Sequence, residues 1–467
     1  MIEERGATLL GSASMMRRRH DGTETGHGAG EGVDREVERS ISARVAERLA
    51  EARIDGSGRS RIATGSADER ELVRSLVGDE LDGLVASQLA AGDAPMTPEA
   101  ESRLAEAVLA SVVGLGRIQP LLDDDDISDI HIRGCEPVRL KLRDGSRVSS
   151  EPVVSSDEEL VELIRRVAAR SGRTERRFDA ANPELNMQLP DGSRLFAAIE
   201  VAARPSVVIR RHRFELSSLD ELAGRGLVDR ALAEFLAACV RARRNIVVAG
   251  GTGTGKTTLL RALLNEVPAD ERIVTIEDAY ELGVDRFGDA HPDHDMLQSR
   301  PPNIEGRGEI TLLDLTRMAL RMDPDRVVIG EVRGAEAFPM LLAMSQGNNG
   351  SMCTIHAEST KAVFPKLSAY VSMADTGLPA ETVNLLIAHA VHVVVQIEHV
   401  DGVRRVTSVR EVVDADGARI VSNEVFAPTG DGRACPAYPL RETTSRLLER
   451  HGFDLGLLDA PDGWWSW

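Results

Sequence analysis

The chain has 467 residues, enough for about three domains, and its 42% hydrophobic content supports ordinary cores. No apolar run reaches the roughly 20 residues that a membrane-spanning helix needs, and no hydrophobic stretch follows the basic segment Met15–His20, so we predict neither a membrane span nor a secretory signal. The formal net charge of -19 and the aromatic content of 3% argue against direct nucleic-acid binding, which relies on basic surfaces and aromatic stacking.

The four cysteines lie far apart in the sequence and form no C-x-x-C pair. They therefore indicate neither a disulfide framework nor a zinc site. We expect the protein to reside in a reducing cytoplasm.

The amino-terminal part of the chain is predicted to be poor in packed structure. Residues 1–62 are rich in Gly, Ser, Arg and Glu, and we predict a mostly disordered tail with one short helix over 37–52. Residues 63–112 have apolar positions at helical spacing and are predicted to form two or three helices. One of these begins near Thr97-Pro98-Glu99, a favourable helix start.

A change of pattern marks a small α+β domain over residues 113–213. Ile130 and Ile132 alternate with polar residues, as in half-buried strands, and residues 158–169 have the spacing of an amphipathic helix. Pro190-Asp191-Gly192 separates two short strand-like runs and predicts a hairpin. Residues 214–227 are predicted to be a linker.

A phosphate-binding loop lies in the next predicted domain, residues 228–411. Residues 250–257 fit G-x-x-x-x-G-K-[ST], with a buried strand before the loop and a helix after it. Lys256 would reach the outer phosphates and Thr257 would bind Mg²⁺; the alternative is a glycine-rich turn without a ligand. The predicted nucleotide-binding residues are Gly250, Gly251, Thr252, Gly253, Thr254, Gly255, Lys256, Thr257 and Thr258.

Further strands alternate with helices beyond this loop. Runs at 273–276, 327–329, 352–355 and 391–397 predict a parallel sheet covered by helices on both faces. A helix over 312–322 is expected to end before Pro324. Residues 412–467, which end in Trp464-Trp465-Ser466-Trp467, are predicted to form a C-terminal appendage.

Chemically capable side chains follow three of these strands. Glu277 and Glu331 each stand at a strand's carboxyl end, where ligands of parallel sheets gather, so we predict catalytic roles for both, together with Lys256 of the phosphate loop. Glu331 is also a predicted Mg²⁺ ligand, partly through water. His356 ends another strand and could sense the outer phosphate. The alternative for the acids is a solvated acidic loop.

Arginines and histidines elsewhere are less specific. Arg194, Arg210, Arg211 and Arg307 are candidates for sensing phosphate, because guanidinium groups bind phosphate across domain or subunit boundaries. The arginine-rich segment 165–177 is better explained as a solvated face. Residues 291–295 contain two histidines, but a dedicated metal site there is the weaker alternative, since no helix places both on one face.

Several motifs, in order, give the chain its resemblance to a known family. They are Leu189-Pro190-Asp191-Gly192-Ser193-Arg194, the phosphate loop, Thr275-Ile276-Glu277-Asp278 with Glu281-Leu282, Glu305-Gly306-Arg307-Gly308-Glu309, Arg321-Met322-Asp323-Pro324-Asp325-Arg326, Gly330-Glu331-Val332-Arg333-Gly334, and Thr354-Ile355-His356-Ala357. With these motifs the chain resembles the type II/type IV secretion ATPases over about residues 70–460. It is most similar to the branch that assembles tight-adherence (Flp) pili.

This resemblance implies an α/β fold, in which a RecA-like P-loop ATPase domain is preceded by the smaller α+β domain and a helical extension. It implies ATP and Mg²⁺ as ligands, a hexameric homo-oligomer, and an inner-membrane platform protein as partner at the cytoplasmic face of the membrane. Glu277 would be the catalytic base, Glu331 would act on Mg²⁺ or its water, and Arg194, Arg210 and Arg211 would reach the phosphates. Such a motor would power pilus assembly or protein secretion.

One motif departs from the family pattern. The family often has Thr-Gly-His-Asp-Gly before the histidine box, where this chain has Gln346-Gly347-Asn348-Asn349-Gly350. The role of that histidine is lost here or passes to Asn348. Two other functions stay open: an ATPase of a conjugative DNA-transfer machine, and a nucleotide-binding scaffold with little turnover.

Overall fold

The computed structural model describes residues 35–53, 67–171, 178–211, 218–287, 290–303, 305–417 and 419–459. The predicted disorder of residues 1–34 and 54–62 and the tryptophan-rich end lie outside this part of the chain. Compact units are formed by Met1–Gly116 and Arg117–Trp467. Among the described helices, none is by itself long and apolar enough to cross a membrane. The segments Pro98–Val113 and Gly116–Asp123 reach that length and apolarity only when they are taken together.

The first unit contains a three-helix cluster, α1 Arg35–Arg53, α2 Ala67–Ala91 and α3 Pro98–Val113. Leu104 and Val108 of α3 and two positions of α1, Ile41 and Val45, are buried in one core, spaced four residues apart as helix packing requires. Thr97 caps α3, its hydroxyl accepting from the Ala100 amide at 3.3 Å. The helix predicted at 37–52 is confirmed, and because it is packed, residues 35–53 are not part of a disordered tail.

The second unit begins with a six-stranded antiparallel sheet in the order β3-β2-β1-β6-β5-β4. Its elements are α4 Gln119–Asp123, β1 Ile127–Arg133, β2 Val138–Leu142, β3 Arg147–Ser150, α5 Asp157–Ser171, β4 Glu184–Gln188, β5 Arg194–Ala198 and β6 Ser206–Arg210. Gln188 pairs with Arg194 across the turn, which confirms the predicted hairpin. That hairpin carries Arg194 at the start of a strand.

A nine-stranded sheet forms the rest of the unit, in the order β15-β14-β13-β12-β7-β11-β10-β8-β9. Its elements are α6 Leu219–Gly224, α7 Arg230–Arg241, β7 Ile246–Gly250, α8 Lys256–Leu264, β8 Ile273–Glu277, β9 His294–Gln298, α9 Leu312–Ala319, β10 Arg326–Val332, α10 Ala337–Ser345, β11 Met352–His356, α11 Val363–Ser372, α12 Ala380–Ala390, β12 Val393–Val400, β13 Val403–Asp416, β14 Arg419–Pro428, β15 Ala434–Pro436 and α13 Glu442–Arg450.

The central strands are parallel, as the alternation of strands and helices predicted. β7 lies between β11 and β12, so the strand that precedes the phosphate loop is in the middle of the sheet. Two hydrophobic cores cover its faces. This is the RecA-like α/β arrangement that the resemblance implied.

Two predicted boundaries need correction. The boundary between 411 and 412 falls inside β13, because the sheet continues through antiparallel β14 and β15. The carboxyl-terminal Phe453 and Phe426 pack on Phe235 of α7, with ring centroids 5.4 Å and 4.8 Å apart, so this region completes the core rather than forming an appendage. The predicted linker contains helix α6, whose Leu219 and Leu222 are buried in the same core; residues 212–217 lie outside the described chain.

Candidate functional site

The phosphate loop connects a buried strand to a helix. All five residues of β7 are buried, and α8 begins at Lys256 after Gly255, whose φ of 102° lies in the left-handed region that favours glycine. A Cβ on Gly250 would lie 2.5 Å from the carbonyl oxygen of Ile397 on the neighbouring strand β12. Two glycines of the motif are thus required by the backbone path, independently of any ligand.

Lys256 is buried at the centre of the site. Its Nζ donates to the carbonyl oxygens of Gly251 at 2.8 Å and Gly250 at 3.2 Å, and lies 3.3 Å from Nδ1 of His356. Burial lowers the pKa of Lys256, and the nearby Glu331 carboxylate opposes this shift. The ammonium group is therefore held inside the loop by carbonyl acceptors.

Strand register brings the other candidates to the same edge. His356 of β11 pairs with Gly250, the last residue of β7. Ile276 of β8 pairs with Ile329 of β10, so Glu277 and Glu331 follow adjacent positions on neighbouring strands. Because the strands are parallel, their carboxyl ends all face the phosphate loop. Thr257, Glu277 and Glu331 line one small cavity there.

Glu277 is 3% exposed and fixed by backbone amides. Its Oε1 accepts from the amides of Glu281 and Leu282, each at 2.9 Å, while its buried Oε2 has no hydrogen-bond partner within the described structure. Burial raises the pKa of Glu277 to about 7, against the opposing effect of those two amides. One carboxylate oxygen is thus anchored and the other is left for a ligand, a water molecule or a proton.

Glu331 is part of a charged network. Its Oε1 lies 2.7 Å from Nε2 of His356, and its Oε2 is 2.9 Å from Nη2 of Arg333. Arg333 also pairs with Asp278, with Nη1 and Oδ2 3.1 Å apart. Burial and the adjacent Lys256 lower the pKa of His356, an effect that Glu331 opposes. The network links the ends of β8, β10 and β11.

The hydroxyl of Thr257 and the carboxylates around it are hard oxygen donors, the type that Mg²⁺ prefers. Thr257 and Glu331 line the same cavity, beside the unpartnered Oε2 of Glu277. This donor set fits the predicted metal, which Thr257 and Glu331 would hold. Of the other loop residues, Thr254 is committed to the loop itself, since its hydroxyl donates to the Gly251 carbonyl at 3.0 Å.

The candidate arginines separate into two groups. Arg194 lines the cavity and pairs with Glu281, with Nη1 and Oε1 2.5 Å apart, so the small domain contributes to the site. The structure does not bring the other three there. Arg211 is partly buried and donates to the Asp124 and Ile127 carbonyls. The others, Arg210 and Arg307, are largely exposed and pair with acids of their own domains, Asp129 and Glu305.

Asn348 and residues 291–295 are the last positions for which the sequence left alternatives open. The Nδ2 of Asn348 donates to the carbonyl oxygen of Pro324 at 2.5 Å, in loops that precede β11 and β10. Asn348 therefore lies near the amino ends of these strands, away from the phosphate loop, and both alternatives for the role of the family's histidine stay open. No group of three or more His, Cys, Asp or Glu side chains able to hold a metal ion occurs in the described part of the chain, which leaves the metal alternative for residues 291–295 without support.

Arg333 and Asp278 also line the cavity, although the sequence predicted no role for either. Arg333 follows Glu331 by two residues in extended chain, a spacing that places both side chains on the same face of the sheet. That spacing is the signal that could have identified it. The pairing of Arg333 with Asp278 depends on which strands are neighbours, which spacing alone does not reveal.

The chain is similar in sequence to known proteins over much of its length. Residues 124–426 match the family model described as Type II/IV secretion system protein. A protein of Mycobacterium tuberculosis with the provisional name of conjugal transfer protein is 36% identical over 316 residues, covering 66% of this chain and 86% of its own length. The type IV secretion system protein VirB11 of Bartonella quintana is 29% identical over 343 residues, covering 65% of this chain and 93% of its own.

Solved structures give weaker matches. The VirB11 ATPase of the Brucella suis type IV secretion system, in complex with sulphate, is 28% identical with a TM-score of 0.34 and covers 63% of this chain and 94% of its own. The Legionella pneumophila ATPase DotB is 19% identical with a TM-score of 0.46 and covers 64% and 80%, respectively.

Proposed function

The chain belongs to the Type II/IV secretion system protein family, and from this premise we propose that it is an ATPase motor of a pilus-assembly or protein-secretion machine. The observation that carries the proposal is the position of Glu277. It is a buried acid with one anchored and one unpartnered oxygen, on the strand edge that faces the phosphate loop. A site that only binds nucleotide has no need for such a group.

Binding of ATP would use the loop and Lys256. The backbone N–H groups of residues 250–257 and the amino end of α8 would surround the phosphates. The ammonium of Lys256 would exchange its contacts with loop carbonyls for phosphate oxygens, a stronger charge-assisted interaction. Thr257 and, through water, Glu331 would hold Mg²⁺, which would neutralise charge at the transferred phosphate.

Hydrolysis requires a positioned water, and Glu277 is suited to hold it. The free Oε2 would accept a hydrogen bond from the water and take up its proton as the water oxygen bonds to the terminal phosphorus and the bond to the ADP oxygen breaks. A pKa near 7 fits a group that must gain and lose a proton at neutral pH. Arg194, which belongs to the small domain, would stabilise the negative charge that develops on the phosphate.

Phosphate release from Mg-ATP by wild type and the Glu331→Gln variant tests this proposal against a scaffold with little turnover. We expect turnover in wild type and a loss of at least about 100-fold in the variant, as for removal of a group that stabilises the transition state. Glu358→Gln, at an exposed glutamate outside the site, is the matched control. Equal low rates in all three proteins would support the scaffold instead.

We further propose that the protein works as a homo-oligomer, a hexamer, bound to an inner-membrane platform protein at the cytoplasmic face of the membrane. Arg210 and Arg307 support this, since they are largely exposed and outside the pocket of their own chain. A neighbouring subunit could use them to complete its site. Light scattering that finds only monomers at every protein concentration, with and without ATP, would contradict the proposal.

An ATPase of a conjugative DNA-transfer machine is the second candidate. The Mycobacterium tuberculosis relative named for conjugal transfer favours it, whereas the net charge of -19 disfavours direct contact with DNA. Neighbouring genes distinguish the two: pilin and platform genes support the pilus motor, and relaxase and coupling-protein genes support DNA transfer. The similarity to the tight-adherence branch stays a prediction that the same observation tests.

A further inference from the structure

A second cavity, of about 570 Å³, opens at the amino ends of β7 and β12. It lies at the far end of β7 from the phosphate loop, roughly 16 Å away for five residues of extended strand. Six of its lining residues carry basic or imidazole side chains, and we refer to it as the arginine cavity. These residues are Arg244, His389, His392, Arg441, Arg446 and Arg450.

The charge of the arginine cavity is not balanced by its surroundings. Among the described residues that line it, none is Asp or Glu, in a chain whose net charge is -19. Arg441 is neutralised from behind by buried Glu411, with Nε and Oε1 3.0 Å apart, and Arg446 pairs with exposed Glu442 on its own helix. Such an excess of positive charge in a concave site attracts anions.

Arg244 and Arg450 have no such partner. Within the described structure, neither guanidinium group makes an ion pair or hydrogen bond, and the Nε of Arg244 is buried without an acceptor. The carboxyl ends of α7 and α12 lie nearby, but each supplies only about half a negative charge. A buried donor without an acceptor is unfavourable and rare, so an acceptor from outside the chain would stabilise this arrangement.

His392 adds a neutral donor to the same cavity. Its Nδ1 accepts from the Asn245 amide at 2.8 Å, so the hydrogen of the neutral ring is on Nε2. Burial, together with Arg244 and Arg441, lowers the pKa of His392 to about 3, which keeps the ring neutral. The imidazole therefore offers a hydrogen bond without adding a charge.

We propose that the arginine cavity binds a phosphate-bearing anion, with Arg244 and Arg450 as its main cationic ligands and His392 as a neutral donor. Planar guanidinium groups bind two phosphate oxygens at once, which suits them to this ligand better than to a single carbonyl. The volume lies in the range of small-molecule sites, roughly 300–1,000 Å³. Two sources have this chemistry, a soluble phosphate compound and the headgroup of an anionic phospholipid.

Inorganic pyrophosphate is the first probe, titrated calorimetrically into the full chain. The Lys256→Ala variant serves as the parent protein, because this change weakens binding at the phosphate loop. Adding Arg244→Gln and Arg450→Gln should weaken pyrophosphate binding by at least about tenfold, as expected for the loss of charge-assisted hydrogen bonds. Adding Arg230→Gln, an exposed arginine on α7 that pairs with Glu234, is the charge-matched control and should change nothing.

Vesicle sedimentation distinguishes the two sources. Phosphatidylglycerol vesicles are compared with phosphatidylcholine vesicles, using the same variants. If the substitutions weaken binding of pyrophosphate alone, the ligand is a soluble phosphate compound. If they weaken binding of phosphatidylglycerol vesicles alone, the ligand is a lipid headgroup. If they weaken both, the cavity accepts either source. No binding of either probe, or binding that the substitutions leave unchanged, would overturn the proposal. Arg450 is exposed, so Arg450→Gln alone serves if Arg244→Gln does not fold.

Discussion

Replacing Glu277 by glutamine should remove activity and increase stability at the same time. The raised pKa of Glu277 means that the folded protein favours the protonated carboxyl, because the ionised form is buried. Glutamine keeps a similar shape and an oxygen that can accept from the Glu281 and Leu282 amides, but it carries no charge. The variant therefore avoids the cost of a buried carboxylate.

The size of the effect follows from the two pKa values. A pKa raised from 4.5 to about 7 corresponds to about 3 kcal/mol, at about 1.4 kcal/mol for each pH unit. Below pH 4.5 Glu277 is protonated in both the folded and the unfolded chain, so the glutamine variant has no stability advantage over wild type. Between pH 4.5 and 7 the unfolded chain loses its proton first, and wild type loses stability. We expect a gain for Glu277→Gln of about 1 kcal/mol at pH 5 and about 3 kcal/mol at pH 8.

Urea unfolding followed by circular dichroism at both pH values measures this difference. Glu358→Gln, at an exposed position, is the control and should show the same stability as wild type at pH 5 and pH 8. A Glu277→Gln protein that is less stable than wild type at pH 8, or whose gain does not grow with pH, would refute the reasoning. Either result would mean that ionisation of Glu277 costs the folded protein no stability.

Three further predictions concern other contacts. Arg326→Ala should destabilise the protein by about 3–5 kcal/mol in urea unfolding, because the fully buried guanidinium is ion-paired with Glu271, with Nε and Oε2 2.6 Å apart, and its removal takes the main partner from that partly buried carboxylate. Unchanged stability would contradict this. Gly330→Ala should lower turnover but leave ATP affinity nearly unchanged, since its Cβ would lie 3.1 Å from Cγ of Glu277; normal turnover would show that the acid can shift freely. Arg194→Ala should lower turnover. The double variant with Glu281→Ala should lose less turnover than the sum of the two single losses, as expected for residues in contact. Additive losses would indicate independent roles.

Much of the sheet edge around the phosphate loop could be predicted from sequence because parallel sheets follow simple rules. A phosphate loop after a buried strand fixes one strand end, and acids or histidines that follow other strands must then lie at the same edge. This rule predicts that Glu277, Glu331 and His356 lie at one edge, and the register of β8, β10 and β11 brings them together. The hairpin that carries Arg194 was also predictable, from its turn residues.

Other features depend on which elements become neighbours, and local patterns do not contain that information. The antiparallel strands β14 and β15 extend a sheet whose earlier members are parallel, so the core around Phe235 and Phe453 was not expected. Asn348 is only eight residues before His356 in sequence, yet the length of β11 places the two at opposite edges of the sheet. The arginine cavity collects residues from four separate segments and has no sequence motif.

Phosphate release from Mg-ATP, measured over a series of protein concentrations for wild type and Lys256→Ala, tests the central claim most directly. Lys256 is buried within the loop, where the Gly250 and Gly251 carbonyl oxygens hold its ammonium group, so its removal should abolish turnover. We predict that specific turnover of wild type rises with protein concentration, as an assembling motor requires, and that Lys256→Ala has none. Wild-type protein that binds ATP but releases no phosphate at any concentration would contradict the account.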